Sequence, residues 1–154
     1  MNKRINIHNI DMKYIYDPEF KSNLKTELIG DAVGTEKFYI NIDYVKPGGE
    51  SVKYHCHSSK EEFFMIIDGE GILRVNGREV KVREGDVISF PAGKSTAHQF
   101  INSGEVILKI LDVGTREEDD VITYPDENVV YIKDKNLVFN IDDSIKGWKS
   151  DPNT

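Results

Sequence analysis

The stretch Gly49-Glu50-Ser51-Val52-Lys53-Tyr54-His55-Cys56-His57-Ser58-Ser59-Lys60-Glu61-Glu62-Phe63-Phe64-Met65-Ile66-Ile67-Asp68-Gly69 decides how the rest of the chain is read. His55 and His57 stand two apart in a strand-like run, so both imidazoles project to one face and can share one ion. The polar turn Ser58-Ser59-Lys60-Glu61 reverses the chain, and Glu62 opens the next run with its carboxylate returned to the same place. Glu61 is the rival carboxylate, but strand alternation turns it to the face opposite Glu62. After Glu62 the run 62–67 is apolar on both faces, where a half-exposed strand would alternate. Phe64 and Ile66 then face inward with Glu62, while Phe63, Met65 and Ile67 face outward. That outer patch needs a cover, from the N-terminal extension or from a second subunit, and we expect a homodimer.

Outward from this stretch, short β-branched and aromatic runs alternate with Gly, Pro and Asn turns from about residue 36 to residue 113. The runs are 37–45, 51–57, 62–67, 71–75, 79–82, 87–90, 98–102 and 106–113, a spacing that reads as an all-β barrel or sandwich. Asn76-Gly77 suits a type I′ hairpin turn, which needs positive φ at both positions. Pro47 and Pro91 end the strands before them, because proline cannot donate to a ladder. Residues 1–35 read as an N-terminal extension with a short strand or helical turn. Residues 114–154 form a C-terminal extension with two weak strands in 129–140 and a polar tail from Asp142. The whole, 1–154, is expected to be one domain.

His98, from a later strand, supplies a fourth donor to His55, His57 and Glu62. Neutral imidazoles with one carboxylate suit Fe, Mn, Ni, Co or Zn and are poor for Ca or Mg. Open coordination positions would receive a substrate oxygen or water. Phe64 and Phe100 share the inward parity of Glu62 and His98 and are candidate pocket walls, with plain core as the other reading. Cys56 alternates away from the histidines and reads as a small buried hydrophobe. Lys53 has the histidines' parity but suits the barrel rim equally well. His8 lies outside the pattern, and the run Glu117-Glu118-Asp119-Asp120 reads as a solvated loop.

Composition narrows the partners. A net charge of -7 and a pI near 5.1 argue against nucleic acid and anionic membranes, which need clustered Lys and Arg. No run approaches transmembrane length, no signal peptide is read at the start, and a single cysteine suits a reducing compartment, so the cytoplasm is expected.

Gly49, five residues, His55-Cys56-His57, four residues, Glu62, six residues and Gly69 resemble the first motif of the cupins. Gly85, five residues, Pro91-Ala92-Gly93, then His98, three residues and Asn102 resemble the second. Four residues separate Gly93 from His98 where the usual pattern has about two, which lengthens that loop. Segments 112–116 and 121–126 look like the tail of a bacterial group of single-domain cupins. The resemblance implies a jelly-roll barrel of two packed antiparallel sheets, with one divalent transition metal at its wider mouth. It implies a small-molecule ligand or substrate, and dioxygenase, isomerase and decarboxylase activities all occur on this fold. A metal-dependent enzyme is the first expectation, and a non-enzymatic cupin that binds a sugar or organic acid is the alternative.

Overall fold

The computed structural model describes residues 3–10, 13–17, 22–145 and 147–148. In chain order it contains β1 (Lys13–Asp17), β2 (Ser22–Glu27), the short helix α1 (Ile29–Val33), β3 (Phe38–Val45), β4 (Cys56–His57), β5 (Glu62–Asp68) and β6 (Glu70–Val75). Then follow β7 (Arg78–Arg83), β8 (Val87–Phe90), β9 (His98–Ile101), β10 (Leu108–Thr115), β11 (Val121–Tyr124), β12 (Val129–Ile132) and β13 (Leu137–Asn140). Every ladder between these strands is antiparallel. One wall is the six-stranded sheet β1-β2-β3-β10-β5-β8. The other consists of β7-β6-β9 and β13-β12-β11-β4, joined where His55 pairs with His98. This is the expected all-β barrel of two antiparallel sheets.

Alternation sorts the side chains of β5 as read from sequence: Glu62, Phe64 and Ile66 are buried, and Phe63 and Met65 remain 40% and 37% exposed. That outer face is partly covered, since Ile42 in the same row as Met65 is only 6% exposed, but Phe63 and Met65 are left showing. The core lies between the walls, with Leu24, Val45, Phe64, Ile66, Leu108 and Ile110 from one sheet against Leu73, Val82 and Phe100 from the other. Burying each such side chain contributes about 1.5–3 kcal/mol. Asn76 and Gly77, at φ 46° and 72°, make the hairpin between β6 and β7, and β3 and β8 stop just before Pro47 and Pro91. No helix among the described residues is long and apolar enough to cross a membrane.

Two expectations need correction. The run 51–57 is not one strand, since only Cys56–His57 form a ladder there. Glu50 pairs with Ile101 and His55 with His98, so five steps on one side face three on the other, and the excess bulges out. The Gln99 amide occupies the gap, donating to the Val52 carbonyl at 2.8 Å. The sheets also reach beyond residues 36–113: β2 from the N-terminal stretch pairs with β3, and β11 from the C-terminal stretch pairs with β4.

Candidate metal centre

The inner face of the six-stranded sheet is built in rows. Tyr39, Gly114 and Glu62 stand opposite one another across β3, β10 and β5, followed by Asn41, Asp112 and Phe64, then Asp43, Ile110 and Ile66. Gly114 allows the first row to work, because a Cβ there would lie 2.6 Å from the Tyr39 ring. Tyr39 instead lies across the glycine and its hydroxyl donates to Glu62 Oε1 at 2.9 Å. Burial, and then the charges of Asp112 and Glu62, raise the Tyr39 phenol far above its ordinary range, so it remains a donor.

The second wall brings the histidines to Glu62. The donor atoms of His55, Glu62 and His98 all lie within 4.8 Å of one another. His57 Nε2 flanks this group, 2.9 Å from His55 Nε2 and 3.4 Å from Glu62 Oε1. All three Nδ1 atoms face oxygen acceptors. His55 donates to the Lys53 carbonyl at 2.8 Å, His98 to the Thr96 carbonyl at 3.2 Å, and His57 to Asp120 Oδ2 at 2.5 Å. Those partners assign the Nδ1–H tautomer and leave three Nε2 lone pairs aimed at Glu62. Rings are held as well as aimed: His98 stacks on Phe90 at 3.8 Å and meets the edge of Phe64 at 5.5 Å, and Tyr124 stacks on His55 at 5.9 Å.

Such an arrangement calls for a cation. Glu62 Oε2 and His98 Nε2 are buried without a hydrogen bond although they lie 3.1 Å apart. Burial, followed by the like charges of His98 and His57, pushes His55 down to about 4, so it is neutral and its lone pair is free at neutral pH. For Glu62, burial works to raise the pKa, but the imidazoles of His57 and His98 beside it outweigh that and hold the carboxyl below its usual range, so the group stays ionised. Neutral imidazoles around a carboxylate fit a divalent first-row ion.

Other candidates sort by position. Glu61 is exposed, while Glu62 is buried. Phe64 and Phe100 border the cavity of about 370 Å³ that opens beside His55, Glu62 and His98. Lys53 sits at a rim, 3.2 Å from Glu127. Cys56 is buried beside Tyr54 and Ala97. The two extra residues before His98 are taken up in a loop where Ser95 has φ 49°.

The acidic run 117–120 is not wholly a solvated loop: Asp120 is 0% exposed. Its Oδ1 accepts from the backbone N–H groups of Ser58, Ser59 and Lys60, and its Oδ2 from His57. Burial would raise this carboxyl, but the bonds from Ser59 and His57 hold it below the usual range. Asp112 was also not read from sequence. It lines the same cavity as the donors, and its buried Oδ1 has no partner. Burial, then the charges of Asp43 and Glu62, lift it well above the ordinary carboxylate range.

A two-walled antiparallel barrel with convergent histidines and a glutamate at one end defines a class of metal-binding β-barrels. The chain belongs to the cupin superfamily: residues 42–114 match the cupin domain model. An oxalate-binding protein of Thermotoga maritima is 37% identical over 67 residues, 44% of this chain and 54% of that protein. The match thus spans about half the length of that curated relative. A solved cupin-superfamily structure from Silicibacter pomeroyi, described as a sugar phosphate isomerase, is 26% identical with a TM-score of 0.80, covering 92% of this chain and 95% of that one. A structure from Acidithiobacillus ferrooxidans carries the same activity as a provisional assignment, with 26% identity, a TM-score of 0.82, and coverage of 92% and 90%.

Proposed function

We propose that this cupin is a metal-dependent enzyme that isomerises a small hydroxy-carbonyl compound, with His55, His57, Glu62 and His98 holding one divalent transition ion. The observation that carries the reading is Asp112, a buried carboxyl with an unpartnered oxygen, facing the same cavity as the donor cluster. Moving a carbonyl to the neighbouring carbon requires one proton to be taken from carbon and returned next door. A bound ion would polarise the carbonyl and hydroxyl oxygens and so acidify the C–H beside them. Asp112 is placed to carry that proton, and its raised pKa suits a group that both accepts and donates. Asn41, Asp43 and Tyr39 give the cavity further hydroxyl-binding groups, and Phe64 and Phe100 give it an apolar side. A dioxygenase would have less use for so polar a wall.

The two isomerase-described neighbours support the same reaction class. We assign no phosphate to the substrate, because the cavity's Lys60 lies 3.7 Å from Glu62 and Arg116 pairs with Asp31. The test is solvent exchange: metal-loaded protein in D₂O with a panel of three- to six-carbon aldoses and ketoses should catalyse loss of the C–H signal beside the carbonyl in NMR spectra. Asp112→Asn should abolish exchange and keep the metal. Absence of exchange across the panel, together with tight oxalate binding, would favour a ligand-binding cupin, the reading that the oxalate-binding relative supports.

We also propose that a second copy of the chain covers Phe63 and Met65, and that the protein resides in the cytoplasm. Phe63→Glu should halve the mass measured by sedimentation; an unchanged mass would refute the dimer on this face.

A further inference from the structure

A second and larger cavity, about 820 Å³, opens on the other side of the paired histidines, over the β13-β12-β11-β4 sheet. Its floor follows the strand register. His57, Ile122, Tyr131 and Val138 stand directly opposite one another across four strands, forming one row that runs outward from the metal centre. Tyr124 and Val129 form the next row, with Tyr124 stacked on His55 at an angle of 27°. The two cavities share Val52, His55 and Lys60 along their borders. One is walled by Tyr39, Asn41, Asp43 and Asp112, and the other by valines and tyrosines, so spaces of opposite chemistry meet at His55.

We propose that this cleft is a second subsite, which binds a flat, uncharged ring carried by the substrate whose reacting end sits at the metal donors. The inference rests on the proposed metal-dependent function and adds to it the substrate's remote half. Three features select this occupant. The cleft's volume falls in the range of small-ligand sites, while the smaller polar cavity already accommodates the reacting end. Two tyrosine rings set on the sheet offer faces for offset stacking, which an alkyl chain would not use. The charged groups at its edge stand paired, Lys53 with Glu127 and Lys60 with Glu62, and the Tyr131 hydroxyl meets Asn136, so the floor itself calls for no charge. Val138 remains 63% exposed on this floor, an apolar surface awaiting a cover. A second copy of the chain seated here would shut the cleft's route to His57, and so fits the site less well than a small ring.

The test compares glycolate with mandelate, which present the same hydroxy-acid head and differ by a phenyl ring, on zinc-loaded protein by titration calorimetry. Mandelate should bind about tenfold more tightly or better, from burial of one ring. Tyr131→Ala and Val138→Asn, neither in contact with the donors, should shrink that preference to within about threefold and leave glycolate affinity unchanged. Val138 is exposed enough that its substitution spares the fold. Equal affinities in the unaltered protein, or a preference that survives both substitutions, would overturn the subsite alone. Failure of glycolate itself to bind would overturn the open metal centre on which the subsite depends.

Discussion

The inner face of the six-stranded sheet changes character within four rows. At its closed end Val45, Ile66, Leu108 and Ile110 are buried to about 1% exposure or less and belong to one apolar cluster. At its open end the same strands present Tyr39, Asn41, Glu62 and Asp112, with Asp43 on the boundary row beside Ile110, and the charges of Asp43 and Glu62 both act on Asp112. Both ends are enclosed by the same architecture, yet only the first gains stability from it. Burial of the acids is unfavourable unless a cation or a proton offsets it. The closed end holds the barrel together, and the open end draws on that stability to keep its donor cluster and acids enclosed.

The sharpest way to break this contrast is to exchange damage between the ends. Ile110→Ala should lower unfolding free energy by about 2–5 kcal/mol in urea titrations, with metal affinity unchanged in the folded fraction. Asp120→Asn should act mainly on the site. An amide oxygen can still accept from the turn at 58–60, but its NH₂ cannot accept from His57 Nδ1, so metal affinity should fall about 10- to 100-fold in chelator competition. The melting point should also drop at neutral pH, because the ionised carboxyl, held below its usual range, stabilises the fold there. Ser58→Ala, which trims the same turn without touching His57, should leave affinity intact and so separate aiming from mere support.

The smallest effect concerns Asp43, whose carboxyl is raised to about 6 by burial, only partly countered by the Thr26 hydroxyl. The folded form holds this proton more tightly than the unfolded chain does. Its contribution to stability is therefore complete below about pH 4 and lost as pH climbs through 6. At pH 7 the charged form is a liability, and Asp43→Asn should raise the melting temperature by roughly 5 °C, with the gain gone at pH 4. No gain at pH 7 would mean that the open end is not under the strain described.

The two ends were not equally legible in the sequence. Motif spacing brought His55, Glu62 and His98 to one place, and period-two alternation sorted Phe63 from Phe64 without help from tertiary structure. Alternation in 38–45 was just as regular, but it is silent about which face is inside. Here the polar set Tyr39, Asn41 and Asp43 lines the cavity, while Ile40 and Ile42 stand on the other face of the strand, where Ile42 is nonetheless buried. Asp120 escaped notice because it stands at the end of an acidic run, and only the return of β11 to β4, 63 residues from His57, buries it. The break in 51–57 depends on a side chain from β9, which no local pattern carries.

The bond from Asp120 to His57 also sets an order of events. Donors on β4, β5 and β9 converge only after long loops have closed, and the last of the histidines to be steadied waits for β11 to dock. Ion uptake in a refolding experiment should accordingly trail the recovery of sheet signal, as a late phase that slows when the 121–124 pairing is weakened. On the proposed metal-binding reading, the ion pool that matters is the one met by the finished shell and not by the growing chain.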